Sequence, residues 1–96
     1  MRRRPTIVAG AGLALLALAA CGGAPEGVNE DMVADYVAAA ATIGCVMKFD
    51  TDYLPVELQA GLTRQQALDI TTYLVATERA VNLPDGGVKL TTGACA

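Results

Sequence analysis

The first 21 residues decide how much of this chain is free to fold. Met1 to Arg4 hold three consecutive arginines, and Thr6 to Leu18 form an apolar run broken only by Gly10 and Gly12. Leu18-Ala19-Ala20 then lead into Cys21. A charged start, an apolar middle and small residues before a cut are the anatomy of an export signal. The run reaches about 15 residues before Cys21-Gly22-Gly23, whereas a membrane-spanning helix needs about 20. Cleavage rather than spanning is therefore expected, with residues 1–20 set apart and one small domain left to fold.

Leu18-Ala19-Ala20-Cys21 resembles the lipobox of bacterial lipoproteins, in which Leu, Ala and Ala precede the modified cysteine. The resemblance covers residues 1–21. It implies a diacylglyceryl group on the Cys21 sulfur, a cut just before Cys21, and further acylation of the freed amino group. Two or more acyl chains anchor a protein stably where one binds reversibly, so a lipid bilayer is the first expected partner. In Gram-negative members of this class Asp after the cysteine marks retention in the inner membrane. Gly22 stands there instead, which implies the outer membrane in such a cell and the outer face of the plasma membrane in a single-membrane one. The arginines are followed by Pro5 and Thr6, and the choice between general secretion and twin-arginine export stays open.

With Cys21 taken by lipid, Cys45 and Cys95 remain as an even pair in an oxidising compartment. A domain of this size buries only about 60% of its unfolded surface and is marginal without a staple. Closing the loop between the two cysteines contributes about 4 kcal/mol in the chain-entropy model. A structural disulfide is the expectation.

Residues 21–29 read as the lipidated cysteine and a flexible glycine-rich tether, and residues 30–96 as the domain. Asn29 is a good N-cap, with Glu30 and Asp31 in the first turn and Val28 and Val33 placed as a hydrophobic staple. Met32, Tyr36, Ala40, Ile43 and Met47 form one apolar stripe, widened by Val33 and Val37, which predicts a helix running to about Phe49. Ala34, Ala38, Ala41 and Cys45 form a second, small-residue strip suited to a closely packed neighbour. Gly44 lies inside this stretch and lowers helix stability there by about 1 kcal/mol.

Asp50-Thr51-Asp52 predicts a turn, followed by a short helix from Pro55 to Ala60 closed by Gly61. Thr63 and Gln66 make a capping box for a further helix from Arg64 to about Val81. Ala67, Ile70, Leu74 and Val81 are its expected buried face, with Arg64, Asp69, Glu78 and Arg79 in solvent. Asn82 to Gly87 is turn chemistry. Val88 to Thr92 could form a strand, but no partner strand is evident, so it reads as an extended tail. The expected fold class is all-α: two main helices, a short connecting helix, and a tail stapled back by disulfide.

The chain contains no His, Ser or Trp, which removes Ser-His-Asp and Cys-His machinery and every His-based metal or haem set. Without Cys-x-x-Cys or a glycine-rich phosphate loop, no cofactor is expected. From Cys21 onward ten acids face four bases, a net charge of −6, which argues against nucleic acid. Asp50-x-Asp52 begins like a calcium loop, but Leu54, Pro55 and Gly61 occupy its later key positions wrongly. A carboxylate pair acting like a glycosidase would need concave volume that so small a helical domain lacks. Two functional expectations follow. One is a non-enzymatic envelope protein that binds another protein, with Tyr73, off the buried face of its helix, as the candidate surface contact. The alternative is a small-ligand or calcium module drawing on Asp50, Asp52 and Glu57.

Overall fold

The computed structural model describes residues 23–96. The expected export signal, residues 1–20, and Cys21 lie outside the described residues. Along the chain run α1 (Glu30–Ala41), β1 (Val46–Met47), α2 (Asp50–Ala60), α3 (Arg64–Ala76), β2 (Ala80–Asn82) and β3 (Val88–Leu90). A short 3-10 turn at Gly93–Cys95 follows. The strands form an antiparallel sheet of order β1-β3-β2, with Val46 opposite Lys89 and Val81 opposite the same Lys89 from the other side. The all-α expectation is therefore corrected to a small mixed α and β domain.

The three helices begin where local chemistry places them. Asn29 Oδ1 accepts the Met32 N–H at 2.9 Å, satisfying one of the donors a helix start leaves free. Thr63 Oγ1 accepts the Gln66 N–H and Gln66 Oε1 the Thr63 N–H, both at 3.0 Å. α2 starts five residues before the expected Pro55. Asp52 explains this, because its carboxylate accepts the Phe49 and Lys48 N–H groups at 2.8 and 2.9 Å. Pro55 is tolerated inside the helix, where it forgoes the one bond its missing N–H would make.

The helix ends differ more from expectation, and all three use one device. In each, an N–H bonds to the carbonyl five residues earlier while the residue before it adopts a left-handed conformation. Leu62 N–H reaches Glu57 O at 3.0 Å around Gly61, and Cys45 N–H reaches Ala40 O at 2.9 Å around Gly44. Gly44 is thus a stop signal, and α1 ends at Ala41 rather than near Phe49. Arg79 N–H reaches Leu74 O at 2.8 Å around Glu78, whose φ is 61°. α3 consequently ends at Ala76, and Val81, expected in the buried face, is exposed on β2.

Val88 finds its partners because both missed helix ends release strands. The turn from Asn82 to Gly87 becomes a hairpin, closed by Leu83 N–H to Gly87 O at 2.9 Å. Strands this short hold through side-chain burial. Met47 and Leu90 are 1% and 0% exposed, each contributing about 1.5–3 kcal/mol relative to exposure. They join Val33, Tyr36, Val37, Val56, Ile70 and Leu74 in a single core.

Candidate functional site

Cys45 and Cys95 are bonded, as expected, with their Cα atoms 5.7 Å apart across a separation of 50 residues. The bond joins the end of α1 to the C-terminal 3-10 turn, which lies along α1. Between them runs a shallow groove of about 290 Å³, floored by Val33, Val37 and the exposed small residues Ala34 and Ala38. The small-residue strip is not closely covered: Ala34 and Ala38 stay exposed and face Thr92, Gly93 and Ala94 across the groove.

The acids considered for a metal do not converge. Asp50 Oδ1 lies 3.2 Å from Arg64 Nη1, and Glu57 pairs with Arg64 Nε. Asp52 is occupied by two backbone donors, of which the Phe49 N–H does most to hold its carboxyl below the usual range. Among the described residues no group of three or more His, Cys, Asp or Glu side chains could hold a metal ion. Arg64 itself lies 5.3 Å from the Tyr53 ring centroid, so the cluster ties α2 to α3 and leaves no free oxygen cage.

Tyr73 is half-buried, and its hydroxyl donates to Glu30 Oε2 at 2.8 Å. Arg79 Nη1 lies 3.3 Å from Glu30 Oε1, with its guanidinium 5.1 Å from the Tyr73 ring centroid. The Tyr73 hydrogen bond, and then Arg79, hold the Glu30 carboxyl below its ordinary value, while that same bond pushes the Tyr73 phenol up. Glu30 and Arg79 close one end of the groove along α1. Sequence reasoning placed Arg79 in solvent and used Glu30 only as a helix-start charge. Their partners stand 43 and 49 residues apart, and no local pattern signals such a meeting.

The segment before α1 is also held. Val28 N–H bonds to Pro25 O at 3.1 Å, and Gln66 Nε2 donates to Gly27 O at 3.3 Å. Val28 packs against the core. Gly23, Ala24, Pro25 and Glu26 form one wall of an open groove of about 540 Å³, and Asp69, Thr72, Tyr73 and Ala76 of α3 form the other. The two grooves present hydrogen-bonding groups, the Arg79 guanidinium and apolar surface. No protein-family model matches the chain, and no curated protein or solved structure is similar enough to count as a match.

Proposed function

We propose that the chain is a lipid-anchored bacterial envelope protein whose small disulfide-bonded domain acts by contact with another protein. The observation that carries this reading is the division of its three cysteines. Cys45 and Cys95 are joined to each other, so Cys21, directly after Leu18-Ala19-Ala20, is the one thiol left over. Disulfides persist outside the reducing cytosol, in agreement with an exported chain. By the lipobox resemblance, Gly22 after the cysteine favours the outer membrane in a two-membrane cell. A single-membrane cell would carry the protein on the outer face of its plasma membrane.

Contact rather than catalysis is supported by a chain without His or Ser. It is also supported by apolar surface on α2, where Leu54 and Leu58, one helical turn apart, are 54% and 75% exposed. Adjacent exposed apolar side chains of this kind offer a partner surface that gains by leaving water.

Intact mass of the membrane-extracted protein, with and without reduction, tests the anchor. A start at Cys21 with added acyl mass and a 2-dalton gain on reduction is expected, the gain being about two hydrogens for one disulfide. A start elsewhere, or no acyl mass, sinks it. A photo-crosslinker placed at Leu58 in intact cells should trap one recurrent protein that a crosslinker at Asp35 does not. Equal trapping at both positions would sink the contact reading.

A further inference from the structure

We propose that the outer face of α3, around Leu68, Thr72 and Ala76, lies against the lipid surface. The proposal rests on the reading of Cys21 as the anchor and adds an orientation to it. The length of chain between anchor and domain carries the inference. Only Gly22 separates Cys21 from Gly23. At no more than about 3.6 Å per residue, the Cys21 and Gly23 Cα atoms are within about 7 Å of each other.

From Pro25 onward the chain belongs to the domain. Ala24 and Pro25 are half-buried, and the Pro25 to Val28 turn is pinned to α3 through Gln66. A free linker over the whole of residues 22–28 would have let the domain wander by about 14 Å on average. Docked as it is, the segment brings the domain to the bilayer by the side on which Gly23 to Glu26 run, beside Asp69, Thr72, Tyr73 and Ala76.

That side carries little charge besides Glu26, which is exposed on the docked segment itself. α3 carries one of the ten acids, Asp69, and this carboxylate accepts from Gln65 Nε2 at 2.8 Å. The exposed positions Gln65, Leu68, Thr72 and Ala76 are all uncharged. α1 instead exposes Glu30, Asp31 and Asp35, which an anionic leaflet would repel. Tyr73, half-buried with a polar tip beside the groove, is a residue type found at membrane–water boundaries.

The test uses mature lipidated protein, its acyl mass verified, in phosphatidylcholine vesicles containing nitroxide-headgroup lipid. A fluorophore is attached at Thr72→Cys or, as reference, at Asp35→Cys. Quenching at position 72 several-fold above that at position 35 is expected. Equal quenching, or stronger quenching at 35, overturns the orientation while leaving the anchor intact. Inserting twelve Gly and Ser residues after Gly22, enough for an average span of about 20 Å, should abolish the difference without releasing the protein from vesicles. A difference that survives the insertion overturns the role given to the short tether. Protein without acyl mass that fails to float with vesicles sinks the anchor, and the orientation with it.

Discussion

α1 and α3 are tied together twice by a tyrosine hydroxyl, and the two ties differ in almost every other respect. Inside, Tyr36 of α1 is wholly buried and its hydroxyl meets Thr71 Oγ1 of α3. Tyr53 of α2 donates to the same oxygen at 3.3 Å, and Thr71 in turn donates to Ala67 O at 2.9 Å. Outside, Tyr73 of α3 donates to the Glu30 carboxylate of α1, with Arg79 as a third member. The inner tie is neutral, buried at Tyr36 and Thr71, and shared among three helices. The outer one is charged and 61% exposed at its carboxylate, so water and salt compete for every contact. Burial, more than bond strength, decides what such a tie is worth. An unmet hydroxyl in the core has nowhere else to turn, whereas an unmet one at the surface finds solvent.

The cystine is the background against which both ties act, and its removal should give the largest effect. Cys45→Ala with Cys95→Ala is expected to lower unfolding free energy by about 4 kcal/mol in urea titrations. A loss below about 1 kcal/mol would mean that the ties and the core already hold the C-terminal turn. Thr71→Val keeps the shape but strands the Tyr36 hydroxyl, with an expected cost of about 1–3 kcal/mol. Adding Tyr36→Phe to that variant should recover part of the loss. A double-mutant cycle with no coupling would break the account of the inner tie.

Glu30→Gln or Tyr73→Phe should cost less than Thr71→Val, and the difference from wild type should shrink further in 1 M salt. A salt-independent loss larger than that of Thr71→Val would reverse the comparison. The smallest effects are in pH dependence, where the outer tie fails at both the acid and the alkaline end and the inner tie at the alkaline end alone. The Glu30 carboxyl is held below its ordinary 4.5, by Tyr73 first. Its contribution is therefore present above pH 4.5 and lost as pH falls through the depressed value. Burial pushes the Tyr36 phenol up from 10.0, so its contribution is present below pH 10 and lost as pH rises beyond it. Glu30→Gln should flatten part of the acid limb of the stability profile and also the share of the alkaline limb that comes from the raised Tyr73 phenol, whereas Tyr36→Phe should flatten the alkaline limb alone.

These ties also show how far the sequence could be read. Tyr36 was placed in the core correctly, because it stands in an apolar stripe of period 3.6. Its acceptor is not legible, since Thr71 and Thr72 stand side by side in α3 and only packing brings one of them opposite. Tyr73 was singled out for standing off the buried face of α3. The two residues that engage it come from the far end of α1 and from beyond the end of α3. The helix ends carry the same lesson. Gly61 announces its stop, Gly44 by itself reads as a weak point inside a longer helix, and Glu78 gives no local sign of a left-handed conformation.

By itself the sequence determined what depends on neighbours in the chain. That covers the starts of α1 and α3, the turn at Asn82 to Gly87, the apolar stripe of α1 as far as Ala40, and the anatomy of the first 21 residues. The pairing of Cys45 with Cys95 follows from the cysteine count once Cys21 is assigned to lipid. Tertiary structure alone decided that the stretches after α1 and α3 leave the helical path to become strands. The physical reason is that Val46, Met47, Val81, Val88 and Leu90 suit either conformation locally. Only a shared core, in which Met47 and Leu90 lose their water together, makes the extended form the more stable one.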